Sequence, residues 1–318
     1  MYIIELIINS ILQSGPLALA TFAIVLIFRT SFTTNFAQGM IGTVAAFITT
    51  YILMPSPDIT GNVPSPTFLT YLIAISVGII VSFIISMLVD IVIFRNSKYI
   101  TPVGKQIVTM GIVLIITGLI PFFFGISDRS LPRIGANLEG TFIDTILLSG
   151  VEGLRDIGIF VKYHMVLGFL ISFIIIGTLF IMLKYTRWGL GVRATASNEN
   201  VASMMGINTR FITAMSWAIA GGLGALAAIL ISSNKGTFGN VTVYFMVAIQ
   251  VQAFFAAILG GFSTFHGPII GIILLTFFKN LFTSYLNPWG NTVLYLFVLL
   301  IVLIKPLGLF GKKIAKKV

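Results

Sequence analysis

Hydrophobic residues run through this chain in long unbroken stretches instead of alternating with polar ones. Polar or proline-bearing interruptions cut out nine such stretches, at 3–28, 38–54, 67–94, 106–124, 163–183, 211–231, 243–261, 267–286 and 292–305. Continuous apolar runs of about 20 residues suit helices crossing a ~30 Å hydrocarbon layer, whereas strands of a membrane barrel alternate. The pattern predicts an all-α, polytopic transmembrane helical bundle of about nine spans, built as a single domain over residues 1–318. Gly15-Pro16 falls inside the first stretch and predicts a kink or a break there. The opening "MYIIELIINS" has no positive charge ahead of its apolar run, so it is expected to begin the first span rather than a cleavable signal.

Composition agrees, with 57% hydrophobic and 9% charged residues against about 25% charged in soluble domains. Cysteine is absent, which removes disulfides and thiol chemistry. The net charge of +10 changes the picture only once it is sorted by loop. Arg29, Arg95, Lys98, Lys105, Lys184, Arg187, Arg193, Arg210, Lys305, Lys312, Lys313, Lys316 and Lys317 fall on one set of loops, with Glu199 as the sole acid. Asp58, Asp128, Glu139, Asp144, Glu152 and Asp156 fall on the other, beside Arg129, Arg133, Arg155, Lys162 and Lys235. Basic loops mark the cytoplasmic side, so the N-terminus is expected outside and the C-terminus in the cytoplasm. The basic excess is a topology signal; no basic patch interleaved with aromatics points to nucleic acid. Two loops exceed simple connections: 125–162, extracytoplasmic, and 184–210, cytoplasmic.

No enzyme constellation is present. His164 and His266 lack a second ligand at metal spacing, and no G-x-x-x-x-G-K-[ST] loop occurs, so neither metal chemistry nor ATP hydrolysis is expected of this chain. Gly221/Ala225, Gly224/Ala228 and Gly267/Gly271 are spaced for close helix packing. Glu5 and Asp90 lie near span ends, where side chains reach headgroups. Lys279 lies deeper, and either snorkels outward or faces a central path. Gln13, Asn35, Gln38, Gln250 and Gln252 lie in or beside apolar runs, either bonded between helices or lining a solute path. Gln250 and Gln252 point about 200° apart on one helix and cannot share a path. The candidate path residues are Gln13, Gln38, Gln250, Phe254 and Lys279.

The cytoplasmic loop predicts a short helix lying across the membrane plane. Ser197 is the expected N-cap, Glu199 puts an acid in the first turn, and Gly206 fits the position after the C-cap. Val201, Met204 and Met205 form one apolar face, which either lies back on the bundle or docks into a groove on a soluble partner.

Four motifs carry a resemblance as well. "GLGVRATASNENVASMMGIN" (189–208) resembles the cytoplasmic signature of permeases of the branched-chain amino-acid ABC importer family. "NFAQGMIGTVAAFITTYI" (35–52), "FFAAILGGFSTFHGPIIGIIL" (254–274) and "KPLGLFG" (305–311) resemble three further segments of that family, in order, so the likeness covers nearly the whole chain. The resemblance implies a permease subunit of a prokaryotic cell membrane. It would work with a second permease, identical or paralogous, two cytoplasmic ATPase subunits and an extracytoplasmic solute-binding protein. ATP-Mg would be bound by the ATPases and no cofactor by this chain. The coupling segment would be Gly189, Arg193, Glu199, Val201, Met204, Met205, Gly206 and Asn208, with Arg193 and Glu199 making charged contacts. The 125–162 loop would form part of the surface for the binding protein. Gln38 and Met40 stand where the family carries His and Glu, Lys279 where it carries an acid, and Lys305 where it carries Arg. With those charges altered, amides, urea, other small polar solutes and a branched-chain amino acid held by its side chain all stand as solutes. An ion-coupled secondary transporter is the alternative. It needs deep carboxylates or unwound helices, for which Gly15-Pro16 and "GGFSTFHG" are the only sequence candidates.

Overall fold

The computed structural model describes residues 2–54, 67–95, 101–129, 131, 163–233 and 240–311. Most of the 125–162 loop, with Arg133, Glu139, Asp144, Glu152, Arg155, Asp156 and Lys162, lies outside the described residues, as do Asp58, Lys98, Lys235 and the lysines after Gly311. Eleven α-helices follow one another: α1 (Tyr2–Ser31), α2 (Gln38–Leu53), α3 (Phe68–Leu88), α4 (Pro102–Phe124), α5 (Tyr163–Tyr185), α6 (Arg187–Ser197), α7 (Glu199–Met204), α8 (Thr209–Ser232), α9 (Phe245–Gly260), α10 (Gly267–Tyr285) and α11 (Gly290–Ile304). Among the described residues there is no strand, only one antiparallel bridge between Arg129 and Val241.

Each of the nine apolar stretches contains a helix. Six are long and apolar enough to cross a membrane, whereas α2, α9 and α11 have 16, 16 and 15 residues. Burial separates centre from rim. The spanning windows of α1 and α8 are 72% and 83% buried, against 22–33% for those of α3, α4, α5 and α10. α1 and α8 therefore form the axis of the bundle, with α2 and α3 packed on α8 and α10 on α1.

Small residues set these approaches. A side chain on Gly42 of α2 would meet the Gly224 carbonyl oxygen at 2.8 Å, and one on Gly221 of α8 would run into the Ser82 carbonyl of α3. A side chain on Gly271 of α10 would strike the Ala256 carbonyl of α9. The spaced glycines read from the sequence are the faces on which the helices meet. Trp217, fully buried, packs on Phe94 with ring centroids 5.1 Å apart.

Two expectations are corrected. Gly15-Pro16 does not break α1, which runs unbroken for 30 residues. Its glycine lets the Phe169 backbone approach to where a Cβ would be only 2.8 Å away, and a Cβ on Gly168 would lie 3.6 Å from the proline ring, so the pair seats α5. Asp90, expected to reach headgroups, is buried. α3 runs on as a π-helical turn, Val89–Phe94, which carries the carboxylate to the Thr213 hydroxyl, with Arg95 and Lys105 near enough to attract it. Such turns insert an extra residue and re-aim the side chains beyond them.

Candidate functional site

Two regions gather polar groups that packing alone does not require. The first is the α6–α7 segment. Thr186 caps α6 by accepting from the Gly189 amide at 3.1 Å. Any side chain on Gly189 would collide with the Met182 and Leu183 backbone, and one on Gly191 with Ile212. These glycines fold α6 back against α5 and α8, burying Val192, Thr195 and Ala196 and leaving Arg193 outside, where it donates to the Lys184 carbonyl at 3.4 Å. The N-cap of α7 is Asn198 rather than Ser197, its side chain accepting from the Val201 amide at 3.1 Å. Ser197 still belongs to α6, and the chain turns one residue later.

α7 ends as expected at Gly206, whose φ of +83° suits glycine. The Gly206 amide bonds the Ser203 carbonyl and the Ile207 amide the Ala202 carbonyl, the two bonds of a Schellman cap. Between two good caps, a helix of six residues and its C-cap Met205 present Val201, Met204 and Met205 to the outside at 52%, 85% and 78% exposure, while within the helix Ala202 alone is buried. Glu199 is exposed in its first turn, and Asn208 caps α8 through the Phe211 amide at 3.1 Å.

The second region surrounds the turn from α1 to α2. Its backbone is irregular yet buried at Thr33, Thr34, Asn35 and Ala37, so each polar group there needs a partner. Gln250 of α9 supplies three bonds: its amide nitrogen donates to the Asn35 and Phe36 carbonyls at 3.2 and 2.8 Å, and its oxygen accepts from the Gly39 amide at 2.6 Å. α2 is thus capped in trans. Gln38 donates to the Ala220 carbonyl of α8 at 2.6 Å and accepts from the Asn35 side chain at 3.1 Å. Thr109 of α4 accepts from the Phe36 amide at 3.2 Å.

Against this turn lies a cavity of about 390 Å³. Asn35 and Gln250 give it a few polar groups, and Thr34 lies in its wall. Ile24, Phe36, Met40, Met110, Val113, Val247, Val251, Phe254 and Phe255 make it otherwise apolar. That composition suits an aliphatic body with one or two polar anchors. The Thr34 hydroxyl has no partner among the described residues.

Of the five candidate path residues, Gln250 and Phe254 line this cavity, and Gln38 lies beside it as a strut between helices. Gln13 and Lys279 are elsewhere. Asn280 of α10 donates to Ser10 and Gln13 of α1 at 2.9 and 3.3 Å, and Lys279 donates to Gln252 at 3.2 Å. Gln250 and Gln252 face opposite sides of α9, as their spacing requires. Asn280 and Thr109 escaped sequence reading; a single amide or hydroxyl in an apolar helix announces no direction.

Comparison with known proteins fits this geometry. A family model described as "Branched-chain amino acid transport system / permease component" matches residues 6–303. The high-affinity branched-chain amino acid transport system permease protein BraD of Pseudomonas aeruginosa is 25% identical over 323 residues, covering 99% of this chain and 98% of that protein. The probable branched-chain amino acid transport permease protein LivH of Methanocaldococcus jannaschii is 25% identical over 314 residues, 95% of this chain and 91% of that protein. The corresponding LivH of Escherichia coli K12 is 31% identical over 150 residues, 47% of this chain and 48% of that protein. No solved structure matches. With the match running over nearly its whole length, the chain belongs to the family of branched-chain amino acid transport permeases.

Proposed function

We propose that this chain is the membrane-crossing subunit of an ATP-driven importer in a prokaryotic cell membrane, passing a small solute delivered by an extracytoplasmic binding protein. The solute class is a branched-chain amino acid or a close relative, as the names of the related permeases suggest. Two cytoplasmic ATPases supply the energy, and a second permease, identical or paralogous, completes the pathway. All nine apolar helices cross. α2, α9 and α11 reach only about 22–24 Å at 1.5 Å per residue, so their non-helical flanks make up the depth. The charge alternation of the loops sets the N-terminus outside, and α6, α7 and the C-terminus in the cytoplasm.

The observation that carries this reading is α7, capped at both ends and holding three exposed apolar side chains in a chain of the permease family. Left in water, Val201, Met204 and Met205 are a liability; in an ATPase groove they are a contact, and methionine adapts to a groove that changes shape. Arg193 and Glu199 flank that face and set its register. Gly189, Gly206 and Asn208 shape the segment from within. The cavity beside Gln250 and Phe254 takes the aliphatic part of the solute. Gln13 and Lys279 act at a separate polar station between α1, α9 and α10.

The test is Met204→Glu and Met205→Glu in membranes carrying the co-expressed ATPases. Uptake is lost and the ATPase no longer co-purifies or no longer responds to solute, while membrane insertion is unchanged. Uptake that survives loss of the ATPase P-loop lysine and collapses with the ion gradient would instead support the secondary transporter. The chain has no cysteine, so a single cysteine at Ser203, labelled by an impermeant maleimide only from the cytoplasmic side, tests the orientation.

A further inference from the structure

A second cavity, of about 330 Å³, opens at the end of the bundle that carries α6 and α7. Phe28, Arg29 and Phe32 from the end of α1, Ala196 of α6 and Phe262 of the α9–α10 turn form its walls, and the segment after α11 closes it. Its size lies at the lower end of the ~300–1,000 Å³ typical of small-molecule sites. Two features of its walls go beyond what packing needs.

The first is Arg29. One of its five N–H groups donates to the Ser263 carbonyl at 2.5 Å, and its guanidinium lies 4.6 Å from the Phe265 ring centre. No carboxylate pairs with it among the described residues. A partly buried guanidinium without a counter-ion keeps most of its planar, two-pronged capacity for an oxyanion. A place at the carbonyl end of α1 accounts for a positive charge, but not for a cavity around it.

The second is Phe32, the only non-glycine residue with positive φ among the described residues, at +50°. A bulky side chain in the left-handed region is strained, and glycine would make the same turn freely. Phe32 lines the cavity and is 45% exposed, edge-on to Phe28 at 6.4 Å, while Phe28 lies 4.5 Å from Phe262. Three phenyl rings thus stand beside one unpaired cation.

We propose that this cavity binds an anion with a short apolar body, its oxygens on Arg29 and its body against Phe28, Phe32 and Phe262. A small aliphatic carboxylate and the head end of an anionic lipid share that chemistry, and both reach this end of the bundle. Because the walls come from α1, α6 and the α9–α10 turn, an occupant ties the segment before α7 to α1 and α9, two of the helices that line the membrane cavity. Binding is measured on the chain alone, so it stands or falls apart from the transport reading.

The experiment uses the full-length chain in phosphatidylcholine nanodiscs, with isovalerate and its uncharged counterpart isovaleramide followed by saturation-transfer NMR. Isovalerate binds saturably and isovaleramide about tenfold or more weakly, the loss expected when a charge-assisted pair is removed. Arg29→Gln weakens isovalerate by a similar factor. Phe32→Gly weakens it several-fold but keeps the preference for the anion, which holds the test open should Arg29→Gln misfold. Phe122→Ala, an exposed position on α4 outside the cavity walls, binds as the parent does. Displacement of isovalerate by added phosphatidylglycerol assigns the natural anion to the lipid; undiminished binding assigns it to a soluble carboxylate. Equal binding of acid and amide, undiminished binding by folded Arg29→Gln, or no saturable isovalerate binding would overturn the proposal.

Discussion

Replacing Gln250 by leucine tests whether α9 holds the α1–α2 turn. Leucine keeps nearly the same volume, so packing changes little and the effect is that of three lost hydrogen bonds. The Gly39 amide lies in the first turn of α2 and finds no substitute acceptor in its own helix, and the Phe36 carbonyl loses its 2.8 Å donor. The Asn35 carbonyl retains a longer bond from the Gln38 amide at 3.4 Å. Two orphaned buried groups at ~1–3 kcal/mol each give about 2–6 kcal/mol, and water entering the adjoining cavity favours the lower half of that range. Gln13→Leu is the reference. It removes a single 3.3 Å bond from Asn280, which keeps Ser10 as an acceptor, and costs about 0.5 kcal/mol. Reversible unfolding of the purified proteins in mixed micelles measures both. If the two variants unfold within about 0.5 kcal/mol of each other, the turn is not held by Gln250 and the account of a helix capped in trans is wrong.

Other outcomes follow from single positions. Gly221→Val drives a side chain into the Ser82 carbonyl and Ser86, and costs about 3 kcal/mol, seen as loss of monodisperse protein; Gly222→Ala, whose nearest neighbour is 3.6 Å away, is tolerated. Asn198→Ala loosens α7 by about 1 kcal/mol in amide exchange over residues 199–204, whereas Ser197→Ala leaves that exchange unchanged. Gly206→Ala, forced to a φ of +83°, costs about 1 kcal/mol and frays the same helix from its other end.

Helices are the most legible part of the chain, because a membrane span must be apolar along its whole length and leaves a signature that no tertiary contact can erase. Boundaries are less so. α4 begins at Pro102 rather than 106, since Lys105 looks like loop while the Thr101-Pro102 start signal sits in front of it. Pro16 shows local preference overruled by packing against α5. At α7, serine and asparagine are both good caps, and only the extent of α6 decides between them. Asp90 is misplaced by its sequence position because α3 passes into a π-turn at Val89, which sequence periodicity does not announce. Gly206, the small-residue faces and the opposed directions of Gln250 and Gln252 are legible because each follows from helix geometry alone. The partners of the buried amides are not, since Gln250 finds Phe36 across 214 residues of sequence.

That separation has a consequence for how the protein is made. When α1 and α2 have left the ribosome, their connecting turn still lacks the residue that satisfies it. At ~5–20 residues per second, Gln250 arrives about 10–40 s later. Until then the Phe36 carbonyl and Gly39 amide must be served by water, lipid headgroups or the insertion machinery. The first hairpin is therefore a waiting intermediate, and a nascent chain stopped ahead of α9 should expose that turn to quality-control proteases.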